Sequence, residues 1–108
     1  MKVRLSDYEV DAIKEAAKKY FGEKCRVLIF GSRADFKKRG GDIDIYIETN
    51  LSTKEIAINK IKFLAELESK IGEQKVDVVV YNPEVMKKEL IHEVALKEGV
   101  EIWMKRRL

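Results

Sequence analysis

The residues of this chain whose types and spacing could do chemistry are three aspartates and a Gly-Ser pair: Asp42, Asp44, Asp77, Gly31 and Ser32. Asp42 and Asp44 flank Ile43 in an alternating stretch, and Asp77 interrupts a run of valines that ends at Tyr81. Residues two apart on a strand share a face, so Asp42 and Asp44 stand side by side, about 7 Å apart at the backbone. Like charges that close repel, and a divalent cation between them removes the repulsion. An all-oxygen donor set suits Mg²⁺ or Mn²⁺ better than zinc. If the strand of Asp77 pairs beside that of Asp44, a third carboxylate joins them. Such a cluster can hold one or two metal ions that bridge a nucleotide's phosphates, neutralise developing charge and lower the pKa of an attacking hydroxyl. Two plainer readings stand beside this one: Asp42 as a turn residue after Gly40-Gly41, and Asp77 as an edge-strand residue facing water.

Phe30-Gly31-Ser32-Arg33 places glycine and serine where an apolar run ends and a helical turn can begin. Glycine lets the backbone approach a ligand closely, and free N–H groups at a helix start attract phosphate oxygens. The Ser32 hydroxyl adds a further donor. Arg33, Lys37, Lys38 and Arg39 surround the turn with positive charge, consistent with a triphosphate, although lysines on a solvated loop are the commoner case.

These residues need elements to position them. Ser6 with Glu9 has the form of a capping box, and apolar residues at helical spacing follow to Gly22, which predicts a helix over 6–21. Arg26 to Phe30 is nearly all apolar, as in a strand buried on both faces. Residues 42–48 alternate strictly, with Ile43, Ile45 and Ile47 opposite Asp42, Asp44, Tyr46 and Glu48. Ser52 with Glu55 opens a second helix that closes at Gly72. Val76 to Tyr81 is a third strand, Asn82-Pro83 opens a helix over roughly 83–98, Gly99 ends it, and Val100 to Met104 forms a last strand before the basic tail Lys105-Arg106-Arg107. This order predicts one α/β (α+β) domain over residues 1–108, with a mixed sheet packed by helices.

Composition narrows the alternatives. With 108 residues and 45% apolar content there is room for one modest core and for no second domain. The 22 basic and 19 acidic residues leave a net charge of only +3, too small an excess to argue for direct nucleic-acid binding. A single cysteine, Cys25, forms no internal disulfide, apolar runs are short, and no secretory signal pattern opens the chain. The expectation is a cytoplasmic protein with no membrane segment. Cys25 reads as a small buried side chain, His92 as a surface or half-buried helix residue, Tyr46 and Trp103 as core or partner-facing, and the tail as a solvated terminus.

The Gly-Ser turn, a basic spacer, D-x-D on the next strand and a later aspartate together resemble the DNA polymerase beta superfamily of nucleotidyltransferases. Within it they resemble the minimal nucleotidyltransferase (MNT) group of prokaryotes. The stretch FGSRADFKKRGGDIDIYIE carries the resemblance most specifically, and the element order extends it over almost the whole chain. The resemblance implies a palm-like fold, with Gly31, Ser32 and Arg33 on the nucleotide and Asp42 and Asp44 on Mg²⁺. Asp77 would complete the metal site or act as the base. It also implies ATP as substrate and a helical HEPN toxin as partner, with the MNT chain as antitoxin transferring AMP to a tyrosine of the toxin. The chain departs from the pattern in having Ala34-Asp35-Phe36 where members often carry Ala-Arg-Gly or Ala-Lys-Gly, and in a spacer of nine residues, Arg33 to Gly41. Two rival readings follow: nucleotidyl transfer to a small molecule such as an aminoglycoside with a partner supplying the pocket, and a non-catalytic module that blocks its partner by occupying it.

Overall fold

The structure, a computed structural model, describes residues 3–35, 37 and 41–105. The elements run α1 (Asp7–Phe21), β1 (Arg26–Phe30), a 3₁₀ turn (Gly31–Ala34), β2 (Ile43–Glu48), α2 (Thr53–Ile71), β3 (Val76–Tyr81), α3 (Leu90–Glu98) and β4 (Val100–Met104). Both capping boxes form: the Ser6 and Ser52 side chains accept from the Glu9 and Glu55 amides, and each glutamate carboxylate accepts from its serine's amide. The helices they open stop at Gly22 and Gly72, as the sequence predicts.

The strands form one mixed sheet in the order β3-β2-β1-β4. β1 pairs antiparallel with both β2 and β4, whereas β2 and β3, joined through α2, run parallel. The two faces are unequal. On one, α1 and α2 bury the large core, in which Ile13, Ala16, Phe21, Phe63 and Leu67 pack on Val27, Ile29, Ile43, Ile45 and Ile47. On the other, α3 covers a smaller patch built from Leu28, Phe30, Tyr46, Tyr81 and Ala95. The strict alternation in β2 therefore has a structural meaning: its isoleucines face the scaffold helices, and Asp44 and Tyr46 face the α3 side.

One predicted element is corrected. The helix expected over 83–98 is confined to Leu90–Glu98. Asn82 does cap a turn, with its Oδ1 accepting from the Glu84 amide and its carbonyl from Val85 and Met86, but the helix does not continue. Glu89 is extended (φ −111°, ψ 173°), and its amide donates to His92 Nδ1 at 2.9 Å, so a fresh helix starts there. His92 is thereby placed in the interior, 5% exposed, with its ring 4.5 Å from that of Tyr81 and 6.5 Å from that of Tyr46. The expectation of a surface or half-buried histidine fails because the ring packs against Tyr81 and Tyr46 and its Nδ1 accepts from the Glu89 amide. His92→Ala should lower the unfolding free energy by about 2–4 kcal/mol, the range for losing a buried ring and its hydrogen bond. The check is the midpoint of a urea unfolding curve; a midpoint equal to the parent's would refute the structural role.

The remaining residues resolve simply. Cys25 is buried, and that burial pushes its thiol up to about 11, away from reactivity at neutral pH. Tyr46 is core, and Trp103 packs at the margin of the large core with its indole N–H on the Glu23 carbonyl. Phe36, Lys38, Arg39, Gly40 and the tail residues Arg106 and Arg107 lie outside the described residues. Among the described residues no helix is long and apolar enough to cross a membrane.

Candidate active site

The site forms where β1 ends, β2 begins and β3 runs alongside. The parallel register places Asp77 directly opposite Asp44, and the antiparallel register places Phe30 opposite Asp44 on the other side. Phe30, Asp44 and Asp77 therefore make one row across three strands, on the face that α3 leaves open at this end. Neighbouring strands lie about 4.8 Å apart, which is the spacing between the Asp44 and Asp77 backbones.

Asp42 sits one residue before β2, in the approach from Gly41, so it stands where loop meets strand and not on the strand expected to carry it. The edge reading of Asp77 is correct in its geometry. β3 is an outer strand, and Asp77 is exposed. No burial penalty therefore falls on Asp77; the aspartate that carries one is Asp44. Burial first, then the charges of Asp77 and Asp42, hold the Asp44 carboxyl above the usual carboxylate range, with Lys75 acting in the opposite sense. Asp42 is turned toward Lys75, whose Nζ lies 3.6 Å from Asp42 Oδ2. Among the described residues no three His, Cys, Asp or Glu side chains are arranged, as they stand, to hold a metal ion. The donor set nonetheless fits a hard divalent cation: all oxygen, adjacent, and mutually repelling in a way that such a charge would relieve.

The Gly31–Ala34 turn closes the site from the β1 side. Gly31 has φ +69°, a left-handed conformation, and a Cβ there would overlap the Asp44 carboxylate at Oδ2. Only glycine satisfies both conditions. Ser32 Oγ reaches the Asp42 carbonyl at 3.5 Å. The Arg33 guanidinium is engaged by backbone: Nη1 donates to the Arg4 carbonyl at 2.7 Å and Nη2 to the Gly41 carbonyl at 3.0 Å. Lys37 is exposed, and its amide donates to Asp35 Oδ1.

Sequence reasoning missed two residues. Lys75, two before Asp77, forms an ion pair with Asp42, and the parallel pairing of β2 and β3 is what brings it there. Arg4 binds the turn from 28 residues away through its side chain. The Lys75 position was open to detection as a basic residue at the mouth of an aspartate-bearing strand; nothing local marks Arg4. Further along the same face, Tyr46 Oη donates to Glu48 Oε2 at 2.8 Å, and burial with that bond pushes its hydroxyl far up, which removes it as an acid or base. A cleft of about 820 Å³ lined by Lys24, Arg26, Glu48, Asn82 and Met104 opens at the far end of the sheet. Glu48 is separated from Asp44 by about 13 Å of strand, so that cleft is no part of the carboxylate site.

The polymerase beta nucleotidyltransferase family model matches residues 11–107. Among solved structures, the fold is similar to a toxin–antitoxin pair, MntA–HpeT, in a doubly substituted form (TM-score 0.65, 16% identity, 90% of this chain and 74% of that one). It is also similar to a chain in the complex of a tri-AMPylated Shewanella oneidensis HEPN toxin with MNT antitoxin (TM-score 0.59, 16% identity, 90% and 71%). A third is a toxin–antitoxin structure with AMP-PNP (TM-score 0.63, 16% identity, 90% and 74%). A search among curated proteins finds no match. At that identity the solved structures speak for the fold, while the family model covers nearly the whole chain, turn and aspartates included. This chain belongs to the polymerase beta nucleotidyltransferase family.

Proposed function

We propose that this chain is a Mg²⁺-dependent adenylyltransferase that moves AMP from ATP to a tyrosine hydroxyl of a HEPN-type partner, and that it serves as the antitoxin of that pair in the cytoplasm. The observation that carries the reading is the Asp44–Asp77 register pair beneath the glycine turn. It supplies closely spaced carboxylates on an open face beside a turn that tolerates no side chain. Support for the acceptor comes from one of the similar structures, whose name describes a MNT antitoxin with an AMPylated HEPN toxin.

In this reading Asp42, Asp44 and Asp77 hold the metal, with Asp42 exchanging Lys75 for it. Bound Mg²⁺ would supply charge for the triphosphate oxygens. Gly31 and Ser32 lie against the terminal phosphates, and Arg33 supports that turn from behind. The acceptor oxygen attacks the α-phosphorus, a new P–O bond forms, the bond to the bridging oxygen breaks, and pyrophosphate leaves. The hydroxyl proton passes to a carboxylate, for which Asp77, being exposed, is the accessible candidate.

The test incubates the protein with labelled ATP, Mg²⁺ and a purified HEPN-type partner. Label should appear on a partner tyrosine with the parent chain and vanish with Asp42→Ala/Asp44→Ala. An unlabelled partner, or equal labelling by the double variant, would refute the reading; label on an added aminoglycoside alone would move the acceptor to a small molecule.

A further inference from the structure

The Gly31–Ala34 turn has little internal support. Its backbone hydrogen bond to the next residue, Asp35 N–H to the Ser32 carbonyl, is long at 3.3 Å, and a single 3₁₀ turn is not stable alone. Its support comes from two arginines. The Arg4 amide donates to the Arg33 carbonyl at 2.8 Å, and the Arg33 guanidinium returns to the Arg4 carbonyl at 2.7 Å. The Arg4 guanidinium donates to the Ser32 carbonyl through Nη2 at 3.0 Å and Nε at 3.3 Å, and Nε also reaches the Asp35 carbonyl at 3.3 Å. Arg33 Nη2, bonded to the Gly41 carbonyl, fastens the turn to the residue that precedes Asp42. The nine-residue spacer is thus closed at its base, with the turn and the D-x-D segment tied to each other and to the segment before α1.

We infer that Arg4 and Arg33 are positioning residues of the nucleotide site. Their interlocked bonds hold the Gly31–Ser32 backbone in place beside Asp42 and Asp44, where a metal-bound triphosphate would lie, and they make the stretch before Ser6 a working part of the site. The inference rests on the nucleotide reading proposed above. Charge alone does not explain the arrangement, because the bonds described run to backbone carbonyls, whose geometry a forked guanidinium can span and a single ammonium cannot.

The experiment compares Arg4→Gln, Arg4→Lys, Arg33→Gln and Arg33→Lys with the parent by amide hydrogen exchange, and then by ATP KM and kcat with the partner as acceptor. Exchange at residues 31–35 and 41–44 should rise about tenfold or more in all four, with α1, α2 and β1 unchanged, since each variant loses charge-assisted bonds. KM for ATP should rise about tenfold with kcat within about threefold, and lysine should rescue neither position. Unchanged exchange in the turn would overturn the inference. So would a KM increase confined to the Arg33 variants, which would assign that side chain to direct phosphate contact. A parent chain that transfers nothing would refute the proposed function separately, while the exchange data still decide whether the clamp exists.

Discussion

Asp44→Asn should lower nucleotidyl transfer by roughly 10³-fold, about 4 kcal/mol of lost transition-state stabilisation, while making the metal-free protein more stable at neutral pH. The two effects have one origin. Asp44 is the half-buried member of the acidic row, and its carboxyl sits above the ordinary range through burial, then Asp77, then Asp42. A raised acid gives up its proton more reluctantly when folded than when unfolded. Stability is therefore highest below the ordinary carboxylate pKa and falls as pH rises through the window up to the raised folded value. Asparagine carries no such loss. Melting curves from acid to neutral pH should show the variant and parent converging at low pH and the variant ahead at neutral pH. Mg²⁺ or Mn²⁺ should raise the parent's melting temperature and leave the variant's almost unchanged. A variant that is less stable than the parent at neutral pH, or that keeps its activity, would contradict this account of Asp44.

Gly31→Ala should damage both stability and transfer. The left-handed φ of +69° costs a non-glycine residue about 1–2 kcal/mol. The added Cβ would also overlap Asp44 Oδ2, so either the turn lifts or the carboxylate swings out of its row. Either movement displaces reacting groups by the order of 1 Å, which by itself costs about 10²-fold in rate. A double-mutant cycle separates the two causes. Combined with Asp44→Ala, which removes the obstructing oxygen, Gly31→Ala should cost only its backbone strain in stability, so the pair falls short of additivity. Additive losses measured by denaturant unfolding would show that the overlap has no energetic weight.

Much of this was legible in the chain because the element ends carry local punctuation. Ser6 and Ser52 with their glutamates, and Gly22 and Gly72, define α1 and α2 to within a residue, and β1, β3 and β4 have the bounds read from their apolar runs. The convergence of the Asp44 and Asp77 strands was conditional in the sequence and became definite only with the parallel register. What escaped was nonlocal. The burial of His92 at the start of α3 goes with its ring lying against Tyr46, which is remote in sequence, and against Tyr81. The bonds of Arg33 are nonlocal in the same way: the sequence marks a basic residue in a glycine turn but not the Arg4 and Gly41 carbonyls that it meets. Periodicity reports which face a residue takes and is silent about which distant carbonyl it meets.

The outer position of β3 has a consequence of another kind. An uncapped edge strand made of valines offers a template for pairing with a neighbouring molecule, and in Val76–Tyr81 the only charge is Asp77. A carboxylate there acts as a gatekeeper, because two such edges brought together would confront like charges across the seam. On the proposed mechanism one side chain would then serve two ends, turnover and solubility, and a chain without the chemistry would still have a physical use for it.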